Sequence, residues 1–180
     1  MPRHTTLGVV LGLFLASTGC TAVEGTEAPE LDESEIKAHK NTMFVSQRGE
    51  LNQVSVFKKS GKLSGVMTGD GLVSPFGVTT AGRNIYVVSQ GNNAVYAHLH
   101  RGGEHDCTRY RLTQLVEPGS GGLTNPFYII EHDGLLYVSS HDTDEILTYD
   151  AQDGTFMGVA VEAGAGGLSG PRGLEFGPGG

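Results

Sequence analysis

At 180 residues with a formal net charge of −8, the chain has room for about one domain and is too acidic for a broad nucleic-acid-binding face, which needs clustered Lys and Arg. It carries 28 glycines, no tryptophan and only 18 % charged residues. Without a strict triplet period, that composition suits strands joined by tight turns better than helices.

The chain opens on a targeting segment. Arg3 and His4 precede an apolar run over residues 7–16, about half of what crosses a bilayer, so the run reads as the core of a secretory signal and not as a transmembrane helix. Ser17-Thr18-Gly19 before Cys20 resembles a bacterial lipobox, although Ser17 stands where that motif usually has leucine. Cleavage near Ala22 by an ordinary signal peptidase is the alternative. The expected first segment is therefore 1–22, with Cys20 as the lipidation site and the membrane reached through the lipid. Thr21 is not the aspartate that retains Gram-negative lipoproteins in the inner membrane. The resemblance thus implies an outer-membrane lipoprotein of the cell envelope; ordinary cleavage implies a secreted one.

Residues 23–40 are acidic and aperiodic, with Glu24, Glu27, Glu30, Asp32, Glu33 and Glu35 around Pro29. They offer little apolar surface to offset the entropy of ordering, and read as a disordered tether.

From residue 41 a pattern recurs. An aromatic strand appears as Met43-Phe44-Val45-Ser46, Ile85-Tyr86-Val87-Val88-Ser89 and Leu136-Tyr137-Val138-Ser139. Each is followed by a second apolar strand: Val54-Ser55-Val56-Phe57, Val95-Tyr96-Ala97 and Ile146-Leu147-Thr148-Tyr149. A proline then opens the next unit, at Pro75, Pro126 and Pro171. The repeat of roughly forty to fifty residues is that of propeller blades. The expected strands of the second blade are 76–80, 84–89, 94–98 and 108–115, and those of the third 127–131, 135–139, 145–150 and 155–161. Alternation of Ile85 and Val87 with Tyr86 and Val88 places side chains on both faces of a blade packed between two neighbours. Gly82-Arg83, Asp133-Gly134 and Asp153-Gly154 supply turns. Lys58, Lys59 and Lys62 surround a solvated hairpin at Ser60-Gly61. Gly119-Ser120-Gly121-Gly122 and Gly164-Ala165-Gly166-Gly167 look like phosphate loops by composition, but both lead to a leucine and a blade-opening proline, which makes them inter-blade linkers.

These units resemble the NHL repeat. The resemblance rests on Pro171-Arg172-Gly173-Leu174-Glu175-Phe176-Gly177-Pro178-Gly179-Gly180, on the run from Leu136 to Asp150, and on Ser89-Gln90-Gly91-Asn92-Asn93-Ala94-Val95. It spans residues 41–180, departing where Phe127-Tyr128 replaces the usual glycine and where residues 101–111 lengthen the second blade. The fold class expected is all-β: a partial β-propeller of NHL type with about three four-stranded blades. Counting from Met43 gives three, four and four strands and one left over at 173–176. Propellers close with about four to eight blades. The simplest expectation is the N-terminal part of a longer protein. In the alternative, two copies exchange their last strands to close a six-bladed homodimer.

In this architecture the loops entering the first strand and those joining the second to the third share one face. That face would gather Gln47, Arg48, Asn92, Asn93, Asn125, His141, Asp142, Asp144 and Arg172 as ligand-face candidates. His141, Asp142 and Asp144 are the one local group with metal-ligand chemistry, and two carboxylates fall short of a calcium loop. His98, His100, His105 and His132 fall on different elements, so zinc is not expected either. Cys107, beside His105, reads as a lone thiol in a loop, since two cysteines make no disulfide framework. No catalytic constellation and no cofactor are expected. The function expected is that of an exported, membrane-tethered propeller that binds a protein or small molecule through its loop face. The alternative implied by related families is a metal-dependent hydrolase (lactonase-like) or lyase, with its ligands on further blades.

Overall fold

A computed structural model describes residues 41–100 and 111–178. The segments expected to be a signal, with Cys20, and a tether, and the stretch 101–110 with His105 and Cys107, lie outside these residues. Eleven strands form three antiparallel sheets. The first sheet holds β1 (Thr42–Gln47), β2 (Gln53–Lys58) and β3 (Leu63–Met67) in that order. The second holds β4 (Pro75–Ala81), β5 (Asn84–Ser89), β6 (Ala94–His98) and β7 (Thr113–Val116). The third holds β8 (Pro126–His132), β9 (Leu135–Ser140), β10 (Glu145–Asp150) and β11 (Phe156–Val161). Each is a meander, and β4 and β8 lie side by side as the inner strands of adjacent blades. The described residues form a partial β-propeller of three blades, the first made of the equivalents of second, third and fourth strands.

Two apolar layers join the blades, and the period of two in each strand builds both. From β5, Ile85 and Val87 face the first blade, in a layer with its Val54, Val56 and Met67 and with Ala94, Tyr96 and Leu112 on their own blade's side. Tyr86 and Val88 face the third blade and pack on Ile129, Leu136, Val138, Leu147 and Tyr149. The two buried tyrosines need partners for their hydroxyls. Tyr86 donates to the Ala151 carbonyl at 3.1 Å and Tyr149 to that of Ser120 at 2.8 Å. Burial raises the pKa of both phenols, with the charges of Glu131 and Asp150 adding to the effect at Tyr86.

The turns carry the backbone chemistry that their residues allow. His132 pairs with Leu135 across Asp133-Gly134, and both turn residues have positive φ, the requirement of a two-residue hairpin. Gly154 has φ +76°, and a Cβ there would sit 2.0 Å from the Leu115 carbonyl oxygen of the neighbouring blade. Only glycine lets these blades approach so closely. The two glycine-rich runs adopt the same turn, with the Leu123 and Leu168 amides donating to Ser120 and Ala165. Gly119 and Gly164 share φ values of 72° and 73°. They are connectors at the ends of β7 and β11.

Two expectations need correction. The fourth strand of the second blade does not run continuously to residue 115. Arg111 instead bridges Thr68 of the first blade, the Leu112 amide donates to the Thr68 carbonyl at 2.7 Å, and the Leu112 side chain enters the layer between those blades. Residues 108–110 lie outside the described part. Residues 173–176 are not a strand. Strand geometry needs a ladder partner, and this segment pairs with no strand among the described residues. It lies on the outer face of the third blade, where Phe176 stacks on His132 at 4.0 Å and meets Tyr137 edge-on at 4.9 Å.

Candidate ligand-binding site

A recurring hydrogen bond shows that the second-to-third strand loops share a face with the chain entering the next blade. Asn52, Asn93 and Asp144 close these loops with left-handed φ of 41°, 56° and 60°, a conformation that Asn and Asp tolerate. Each side-chain oxygen accepts the amide of the residue before the next blade-opening proline. Ser74 donates to Asn52 at 2.7 Å, Asn125 to Asn93 at 2.8 Å, and Gly170 to Asp144 at 2.6 Å. The donors have positive φ as well, at 48°, 48° and 56°. Ser89 and Ser140 add a second recurring pair, each bonding both amide and carbonyl of Val73 or Thr124. Ser46 and Ser139 donate to the carbonyls of Phe76 and Arg172, the residues after those prolines.

On this frame the sequence-predicted residues separate. Asn93 and Asp144 are blade clamps. Gln47 is held by Gln53 and Ser55 at 2.6 and 2.9 Å. Asn92 donates to the Gly71 carbonyl at 2.9 Å, and its buried Oδ1 has no hydrogen-bond partner among the described residues. The remaining five come together. The Arg48 guanidinium lies over the Phe76 ring, 5.4 Å from its centroid, and Arg172 lies 4.8 Å over Phe127. Phe76 and Phe127 meet edge to face at 4.8 Å, and His141 packs against Phe127 at 4.8 Å. The result is a ladder in the order Arg48, Phe76, Phe127, with Arg172 and His141 both on the last ring.

Asp142 closes the group. Its Oδ1 accepts from Asn125 Nδ2 at 2.9 Å and from His141 Nδ1 at 2.7 Å, which places the proton of a neutral imidazole on Nδ1. These two bonds, that of Asn125 foremost, hold the Asp142 pKa below its ordinary value. A His–Asp pair of this kind can orient an imidazole as a base. Gly170 lies beside its Nε2: a Cβ there would fall 3.2 Å from that nitrogen, a space that glycine leaves open. Among the described residues no group of three or more His, Cys, Asp or Glu is arranged to hold a metal ion.

Sequence reasoning missed Phe76 and Phe127, taking them as strand residues. The available signal was their position: both follow a blade-opening proline, as Arg172 does, and these three places adjoin along the inner edge.

No family model matches the chain, and no curated protein does. Solved structures do. Hydrazine synthase of Kuenenia stuttgartiensis matches with a TM-score of 0.52 at 17 % identity, over 68 % of this chain and 34 % of that one. A catalytically inactive H270A virginiamycin B lyase of Staphylococcus aureus, solved with quinupristin, matches with a TM-score of 0.51 at 14 % identity, over 72 % of this chain and 41 % of that one. At such identities the likeness is one of fold, and the chain spans well under half the length of either.

Proposed function

We propose that this chain belongs to an exported propeller protein of NHL type, tethered to the bacterial outer membrane through Cys20, which binds a ligand through its loop face without catalysing a reaction on it. The observation that carries the binding reading is the ladder of Arg48, Phe76, Phe127, His141 and Arg172. These side chains meet across blades, Arg48 on Phe76 and Phe76 on Phe127, and they are gathered on one edge with their charged and aromatic groups in contact. Convergent polar and aromatic groups on a rigid scaffold are what a recognition surface requires.

Ligand-induced NMR shifts on the full chain test this reading with a panel of small molecules. Shifts should cluster at Arg48, Phe76, Phe127 and His141, and Phe127→Ala should abolish them. Shifts confined to the outer rim around Asp70 and Arg111 would refute it. Tethering is tested separately by detergent partitioning of the exported product. Cys20→Ala should move it to the aqueous phase, and retention in detergent would contradict the lipid anchor.

A further inference from the structure

The loop face carries carboxylates and cations in equal view, but the carboxylates are used internally. Asp142 Oδ1 is taken by Asn125 and His141, and Asp144 Oδ1 by the Gly170 amide. The two guanidinium groups are not. Among the described residues the ion pairs involve Arg111, His132 and His141, and neither Arg48 nor Arg172 has a carboxylate partner. Two arginines without an ion pair on one edge, among the described residues, are notable in a chain of net charge −8.

Their contacts also fix how they are presented. A guanidinium laid over a ring is oriented by cation–π attraction while its N–H donors, which lie in its own plane, stay available. Stacking on Phe76 and Phe127 therefore pre-orders both forks, lowering the entropy that a free arginine side chain would lose on binding. The chemistry that matches a pre-ordered guanidinium fork is a planar or tetrahedral oxyanion, bound by two parallel N–H···O bonds.

We propose that this face takes anions bearing carboxylate or phosphate oxygens on the guanidinium forks of Arg48 and Arg172. The inference rests on the reading of this face as the ligand site and adds the charge class of the ligand. The phenyl rings seat the guanidinium groups, and Asp142, although charged, is bonded to Asn125 and His141 and makes no ion pair with either of them.

The test is isothermal titration of the full chain with inorganic phosphate, with glutarate, and with the uncharged diamide of glutarate, at low and high salt. At least one anion should bind saturably and more weakly at high salt, and the diamide should not bind. The stronger of phosphate and glutarate identifies the source of the oxygens. Arg48→Gln and Arg172→Gln together should weaken binding by about tenfold or more, the loss of the charge-assisted contacts. Arg172→Lys keeps the charge but not the fork, and should also weaken it. Urea midpoints of the variants, which alter exposed guanidinium groups, serve as the folding control. Binding unaltered by both Gln substitutions would overturn the proposal, as would saturable binding of neither anion. Diamide binding that is lost in Phe127→Ala would sink the anion inference and leave the site standing. No binding of any probe, with Phe127→Ala silent across the wider panel, would sink both.

Discussion

Replacing Asn93 isolates the clamp that joins the second and third blades. Its Oδ1 is the acceptor for the Asn125 amide at 2.8 Å, and its own φ is 56°. Asn93→Ala removes the acceptor and puts an alanine where L-residues are strained. An orphaned donor costs about 1–3 kcal/mol when buried; the Asn125 amide is only part-buried, which places the loss near 1 kcal/mol. The left-handed conformation adds about 1–2 kcal/mol for alanine. The alanine variant should therefore lose about 2–3 kcal/mol. Asn93→Gly relieves the strain but not the missing acceptor, and should lose about 1 kcal/mol. Asn93→Asp keeps an oxygen in place, as Asp144 does one blade on, and should stay within about 0.5 kcal/mol. Urea unfolding of the full chain reads these as midpoint shifts at unchanged slope. Equal losses for alanine and glycine would refute the conformational part of the reasoning. A glycine variant as stable as wild type would refute the clamp itself.

Two further outcomes follow from the geometry. Gly154→Ala should cost more than about 3 kcal/mol, because the new Cβ falls 2.0 Å from the Leu115 oxygen at φ +76°; Gly164→Ala, at φ +73° with nothing within 4 Å, should cost only the backbone strain of about 1–2 kcal/mol, both read by urea unfolding. Asp142 has a folded pKa below the ordinary 3.8, so the contact it makes contributes above the unfolded value and is lost as pH falls through the folded one. Side-chain NMR should place its midpoint below 3.8 in wild type and higher in Asn125→Ala; no change on removing Asn125 would contradict the assigned cause.

The blades were legible because their physics is local and repeated. Period-two alternation in β5 assigns Ile85 and Val87 to one interface and Tyr86 and Val88 to the other, and the structure places them there. Turn chemistry at Asp133-Gly134 and Gly154 was equally readable, since positive φ is written in residue type. What depends on a tertiary partner was not. Nothing local says that Leu112 leaves the second blade for the Thr68 carbonyl, or that residues 173–176 pair with no strand among the described residues. Strand connectivity sets which loops share a face, and that much is readable in sequence. The role of each residue on it is not, because whether Asn93 holds a backbone amide or faces a ligand turns on which donor the next blade brings within reach. The stacking of Arg48 on Phe76 likewise joins two blades and has no signature within either.

A repeat protein carries its own control for separating architecture from recognition. Equivalent places in successive blades share a backbone environment, so a residue type kept at all of them answers to that environment. A residue type that changes there answers to something else. The clamp position reads Asn52, Asn93 and Asp144, always a side-chain oxygen at left-handed φ accepting the same amide. The serine repeats as Ser89 and Ser140 with the same two bonds in the second and third blades, while the first blade has Gln47 at that place. By contrast the place after the opening proline reads Phe76, Phe127 and Arg172, and the place after the second strand reads Arg48, Gln90 and His141. Neither set is demanded by closing a blade, since blades close with aromatic and cationic residues alike at the first place and with three different polar side chains at the second. Apart from Gln90, these variable places carry side chains that touch one another, Arg48 with Phe76 and Phe76 with Phe127 across blades. Blade geometry therefore accounts for the clamps at all three places and does not set the residue types of the ladder, and the proposed recognition rests on that difference.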